Sequence, residues 1–195
     1  GAGEAPGVFA PSVQCEWKVQ ATDPHPTSGL VLATPMVADL ENDSGPSAET
    51  VFTTWDGPPN GDGSISTPGV IRIINGQTCE LKETVEASFG LIRAASPLAL
   101  ADLNGDGKID IVGRKDKGGL IAFGWDGAKF AKLWESAGTI VNQPWDGPSV
   151  HDLHDDRVPE VLLWGEVVNG STGAPVTNFT ISQGFHGYIP VAGDF

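Results

Sequence analysis

Residues Pro97 to Val112 read P-L-A-L-A-D-L-N-G-D-G-K-I-D-I-V. Asp102, Asn104, Asp106 and Asp110 recur at short intervals around Gly105 and Gly107, in a segment too rich in glycine for a helix. Side-chain oxygens at that spacing suit Ca²⁺, a hard ion that takes roughly six to eight oxygen ligands from alternate side chains and backbone carbonyls. Lys108 contributes only its carbonyl. The rival is an EF-hand loop, which closes on a bidentate Glu at its last position. Counted from Asp102, that position is Gly113, so this loop closes earlier, at Asp110. Leu98–Ala101 and Ile109–Val112 are short apolar runs of strand type. The stretch is read as strand, calcium loop, strand.

The pattern recurs. Pro35-Met-Val-Ala-Asp39-Leu40, Pro148-Ser-Val-His-Asp152-Leu153 and Pro190-Val-Ala-Gly-Asp194-Phe195 align on the first aspartate, and the aligned aspartates lie 63, 50 and 42 residues apart. A second element repeats too: Ile73-Ile-Asn-Gly-Gln-Thr78 matches Val167-Val-Asn-Gly-Ser-Thr172. Asn-Gly after β-branched residues signals a tight hairpin. Each unit therefore reads as four strands with an acidic loop between the first two. Such a unit, repeating about every 40 to 50 residues, is a propeller blade.

The blocks A-D-L-N-G-D-G-K-I-D-I-V and V-A-D-L-E-N-D-S resemble FG-GAP (VCBS) repeats, the blades of integrin α-subunit propellers and of many secreted microbial proteins. The resemblance spans roughly residues 34 to 195 and is specific in the second copy. It implies an all-β β-propeller with calcium in the loop joining the first two strands of a blade, and Asp102, Asn104, Asp106 and Asp110 in the ligand places. It leaves activity open, because function belongs to sites rather than folds.

On this reading, residues 1–11 are a flexible N-terminus and 12–20 the last strand of a preceding blade. Blades follow at 34–84, 96–135 and 147–178, and 189–195 opens a fourth. Closed propellers have roughly four to eight blades. About three leave an open arc, so the expected partners are the remainder of a propeller or further copies of the same chain.

The other loops depart from the second. Asp39, Glu41, Asp43 and Glu49 offer a second candidate metal set, deformed by an insertion containing Pro46. In the third copy His154 stands in place of Asn104 and Arg157 in place of Gly107. Hard cations prefer oxygen to imidazole, so an ion pair is expected there instead of a metal, with the Arg157 guanidinium among Asp152, Asp156 and Glu160.

The chain has 195 residues and a formal net charge of −14, which argues against nucleic acid and anionic membrane surfaces as partners. No run of about 18 apolar residues occurs, so no membrane insertion is expected. Cys15 and Cys79 are the two cysteines. An even count and a calcium-rich setting suit a disulfide in an extracellular, secreted protein. If both cysteines lie on fourth strands of neighbouring blades, they are too far apart and become buried thiols.

Trp-Asp-Gly recurs at 55, 125 and 145. An exposed tryptophan beside an acid suits a sugar, which makes Trp55 and Trp145 candidate ligand contacts. The competing reading packs each tryptophan between blades, with Asp-Gly as a bend. Trp17, Trp134 and Trp164 read as core. The histidines share no metal-ligand spacing, and no nucleophile elbow, Walker loop or dinucleotide fingerprint is found. Carboxylates abound, but mostly in the acidic loops, so no enzyme activity is expected. Of the sequons at Asn42, Asn169 and Asn178, Asn178 is the candidate glycosylation site. The expected function is a secreted, calcium-binding propeller segment with a non-catalytic role in adhesion or assembly, glycans or cell-surface proteins being its ligands. The alternatives are a fibre or ring subunit completed by blade pairing between chains, and the non-catalytic part of a carbohydrate-active enzyme or lectin.

Overall fold

The computed structural model describes residues 11–40, 48–57, 68–138, 146–163 and 166–177. Among them the chain is all-β, with one 3-10 turn at Glu86–Ser88. The first sheet contains β1 (Ser28–Val31), β2 (Met36–Ala38), β3 (Glu49–Asp56), β4 (Pro68–Asn75), β5 (Leu81–Val85) and β6 (Ile92–Arg93). The second contains β7 (Ala99–Ala101), β8 (Asp110–Arg114), β9 (Leu120–Trp125) and β10 (Phe130–Glu135). The third contains β11 (Ser149–His151), β12 (Glu160–Leu163) and β13 (Glu166–Asn169). All strand pairs are antiparallel.

The sheets share one plan. In the first, β2 pairs with the start of β3 and β1 with its end, so the two together fill one edge. Pro35 lies between them, and a residue without an N–H interrupts a ladder. On the far edge β5 and β6 likewise divide the length of β4. The first sheet is thus a four-position meander with both outer positions broken, beside the unbroken meander β7-β8-β9-β10. The third sheet runs β11-β12-β13, and a bridge from Val168 to Pro175 begins a fourth position.

Alternation along the strands of the second sheet stacks the three sheets. Ile111, Ile121 and Phe123 pack with Val51, Ile71 and Ile73 of the first sheet. Their neighbours Val112, Leu120 and Ala122 turn the other way, onto Val161, Leu163 and Val168 of the third. Successive side chains point to opposite faces of a strand, so a strand apolar at every position is one covered on both faces. Trp134 fastens the second interface: its Nε1–H donates to the Gly170 carbonyl at 2.6 Å. A Cβ on Gly173 would lie 2.5 Å from its ring, so the close approach requires glycine there.

Matching sequences make matching turns. After β4 the Asn75 Oδ1 accepts the Gln77 and Thr78 amides, and after β13 the Asn169 Oδ1 accepts the Thr172 amide. Cys79 N donates to Asn75 O, as Gly173 N does to Asn169 O. Both residues have positive φ, 60° and 70°. Cys79 holds a glycine's conformation while bonded to Cys15 across a Cα–Cα distance of 5.7 Å.

Residues 12–20 form no strand, contrary to expectation. Val13, Cys15, Trp17 and Val19 alternate with polar residues, but alternation only requires one apolar surface beneath the segment, not a ladder beside it. Here side chains make the attachment. The disulfide ties Cys15 to the turn after β4, Trp17 stands edge-on to Phe52 at 5.0 Å, and Gln14 Nε2 donates to the Gln77 carbonyl.

Above Trp17, 5.9 Å from its ring, lies the guanidinium of the fully buried Arg72. Arg72 donates to Thr54 Oγ1, Thr84 Oγ1, and the His25 and Ser28 carbonyls, joining β3, β5 and the segment entering β1. Burial lowers its pKa, and Asp23 and Glu86 oppose that. Arg72→Met keeps the volume but leaves several buried acceptors unpaired, at roughly 1 to 3 kcal/mol for each one left without water. Urea unfolding is expected to show a loss of at least about 3 kcal/mol with unchanged m-value; a change below about 1 kcal/mol contradicts this role.

Candidate metal centre

The three acidic loops share one contact, and the second and third share another. The carboxylate that opens the second strand accepts a bond from the loop leucine, three times over: Glu49 Oε2 from Leu40 N at 3.0 Å, Asp110 Oδ2 from Leu103 N at 3.0 Å, and Glu160 Oε2 from Leu153 N at 2.8 Å. All three acids are buried, at 1%, 0% and 2% exposure. The first acid of the loop then folds the backbone round itself. Asp102 Oδ1 accepts the Gly105 and Asp106 amides and Oδ2 the Gly107 amide, while Asp106 Oδ1 accepts Lys108 N. In the third loop Asp152 accepts the Asp156 and Arg157 amides, and Asp156 accepts Val158 N. These amides hold the Asp152 pKa down, Arg157 N most of all.

The glycines of the second loop explain why it reads so clearly. Gly105 and Gly107 sit at φ 77° and 83°, and their counterparts Asp155 and Arg157 adopt 55° and 68°. Left-handed backbone costs a non-glycine residue roughly 1 to 2 kcal/mol, so the third loop keeps the geometry under strain.

The loops differ at the second oxygen of the strand carboxylate. Glu49 Oε1 accepts from Lys82 Nζ at 2.7 Å. Glu160 Oε1 meets His154 Nδ1 at 2.8 Å. Asp110 Oδ1 is buried with no hydrogen-bond partner. It lies over Gly124 of β9, where a Cβ would stand 2.6 Å away. Burial, first, and then the nearby charges of Asp106 and Asp102 raise the Asp110 pKa to about 6 against the pull of the Leu103 and Asn104 amides.

The donors of the second loop fit a hard cation: they are oxygens, they share an uncompensated negative charge, and one buried oxygen lacks any partner. Asp102, Asn104, Asp106 and Asp110 are brought to one loop, with Asn104 Nδ2 donating to Asp106 Oδ2 at 3.3 Å. Among the described residues no three carboxylate, imidazole or thiolate side chains already converge on a point. The carboxylates face the loop's own amides, so holding an ion requires them to turn inward together.

Other expected sites fare differently. Glu49 is engaged by Lys82, which reduces the second candidate set; Asp39 heads that loop, and Glu41 and Asp43 lie outside the described residues. The third loop has an imidazole partner for Glu160, His154 rather than the expected Arg157, whose backbone amide donates to Asp152. Trp55, expected as an exposed sugar contact, is 4% exposed in β3. Of the Trp-Asp-Gly tryptophans described, Trp125 instead lines a cleft of about 300 Å³ with Leu40, Ile73, Lys82, Glu83 and Phe130. Trp145, Asn42, Asn178 and the fourth repeat at 189–195 lie outside the described residues. Sequence motifs gave no sign of Lys82, or of the buried Arg114–Asp146 pair, whose Asp146 precedes β11. Such partners come from distant strands and belong to no local pattern.

No protein family and no curated protein matches the chain. Among solved structures it is similar to the crystal structure of the V. cholerae biofilm matrix protein Bap1, at 18% identity and a TM-score of 0.37. That alignment covers 87% of this chain and 34% of the other, so the chain spans about a third of that protein's structure.

The raised pKa of Asp110 fixes a sign. The folded chain holds this proton more tightly than the unfolded chain, so the contribution is fully present below about pH 4 and is lost as pH rises through about 6. In chelator, Asp110→Asn is expected to match the wild type near pH 4 and exceed its stability at pH 7, by roughly 3 kcal/mol. Stability curves of the two proteins that run parallel from pH 4 to 7 contradict it.

Proposed function

We propose that the chain is a calcium-stabilised run of FG-GAP-type β-propeller blades, secreted and non-catalytic, serving adhesion or assembly. One observation carries the reading: a buried strand carboxylate grips the amide of a loop leucine at the same place in three successive antiparallel meanders. A blade with its acidic loop between first and second strands would repeat in this way, which supports the reading.

Asp102, Asn104, Asp106 and Asp110 would hold the ion, together with the Lys108 carbonyl. Bound there, calcium supplies positive charge to carboxylates that otherwise repel one another. The protein's part is to fix β7 against β8: Asp110 is anchored through Leu103 N, and Asp102 and Asp106 shape the turn through its amides. The acids of the loops are thereby occupied in structure, which favours a role without catalysis. The Cys15–Cys79 disulfide supports an oxidising compartment. No described helix is long and apolar enough to cross a membrane.

The three described meanders are fewer than the roughly four to eight blades of a closed ring. The proposed partners are the remainder of a longer propeller or further copies of this chain, with glycans or cell-surface proteins as ligands. Light scattering with calcium and with chelator separates them. A folded, defined particle that loosens or dissociates in chelator is the expected result. Identical particle size, secondary structure and melting in both conditions contradict a calcium-stabilised assembly.

A further inference from the structure

Aligning the first two sheets on their strand carboxylates exposes a third equivalence. Glu49 faces Asn75 on β4, and the next pair is Thr50 with Ile74. In the second sheet the residue after Asp110, Ile111, pairs with Phe123. Ile74 therefore corresponds to Phe123. On the next strand Ile74 pairs with Leu81 and Ile73 with Glu83, leaving Lys82 as a bulged extra residue. Phe123 pairs with Lys132 and Ala122 with Trp134, leaving Leu133 bulged in the same place.

Side-chain positions follow this register. Lys82 reaches across β4 to Glu49 Oε1. Leu133 lies over β9 beside Asp110: a Cβ built on Gly124 would stand 2.6 Å from Asp110 Oδ1 and 2.9 Å from Leu133 Cδ1. So the carboxylate oxygen that meets an ammonium in the first sheet meets the neighbourhood of a leucine methyl in the second. Leu133 is 40% exposed.

We infer that the bulged residue of the fourth strand decides which loop requires a metal: Lys82 closes the first loop as a resident cation, and Leu133 leaves the second dependent on a divalent ion. The third loop reaches the same end by another route, with His154 of the loop itself against Glu160. A buried carboxylate needs compensation, and a fixed ammonium or a bound ion each provides it. Among the three strand carboxylates Glu49, Asp110 and Glu160, the second thus marks the one site for a hard divalent cation. This rests on the calcium reading of the second loop.

The test is a melting series in chelator and in calcium on the wild type, Leu133→Lys, Leu133→Met and Lys82→Met. Leu133 is partly exposed, so both substitutions at that position are compatible with folding. In chelator, Leu133→Lys is expected to melt roughly 5 °C above Leu133→Met, which stays near the wild type, and to lose most of the calcium-induced rise. Lys82→Met is expected to melt lower than the wild type in chelator. Equal melting of Leu133→Lys and Leu133→Met in chelator overturns the inference. A wild type indifferent to calcium, with Leu133→Lys still stabilised over Leu133→Met, overturns the calcium reading and upholds the compensation of Asp110 by a cation from position 133.

Discussion

The constraint on which the structure depends is the need of a buried carboxylate for two partners. Each strand acid, Glu49, Asp110 and Glu160, uses one oxygen to hold the amide of a loop leucine. That bond closes the hairpin between the first two strands of a sheet and seats the leucine: Leu40 and Leu103 are buried at 1% and 0% exposure, in the cores between sheets. Neutral hydrogen bonds contribute roughly 1 kcal/mol each, and those to charged groups somewhat more. Their value here is positional, since loop, strand and core leucine are fixed by one contact. The second oxygen is where the copies diverge, because a carboxylate kept from water must be neutralised, paired or protonated.

From that contact the stacking follows. With the first two strands in register, alternate residues of the second sheet present Ile111 and Ile121 to one neighbour and Val112 and Ala122 to the other. Polar clamps then fix the sheets laterally. Arg72 gathers β3, β5 and the segment before β1, Trp134 bonds into the turn after β13, and the buried Arg114–Asp146 pair joins the end of β8 to the chain entering β11. Burial lowers the Arg114 pKa and raises that of Asp146, while each partner opposes the other's shift. Breaking such a pair leaves a buried charge, so these clamps act as commitments to one arrangement.

Much of this was legible from local pattern. The recurring acidic loop with its flanking apolar runs predicted the strand pairs β2–β3, β7–β8 and β11–β12, and the two Asn-Gly turns the ends of β4 and β13, because glycine, β-branched residues and alternation act over a few positions; β1 and β6, outside the expected unit at 34–84, were not foreseen. Residues 12–20 misled for the same reason: an alternating pattern reports a one-sided apolar surface, and a disulfide and Trp17 supply it without a ladder. Trp55 misled because Trp-Asp-Gly looks alike whether its ring faces solvent or core. Lys82 and Leu133 were illegible, since their importance depends on strand register and on a bulge that only pairing reveals. Nor did local pattern foresee that His154 rather than Arg157 partners Glu160, or that Arg157 takes up a glycine's conformation and gives its amide to Asp152.

The central claim is that Asp110 alone among the three strand carboxylates awaits a cation. Calcium stoichiometry, measured by equilibrium dialysis and elemental analysis on the wild type and on Asp110→Asn, tests it most directly. The account predicts one ion per chain in the wild type and its loss in the variant. No bound calcium in the wild type, or an ion retained after Asp110→Asn, contradicts it.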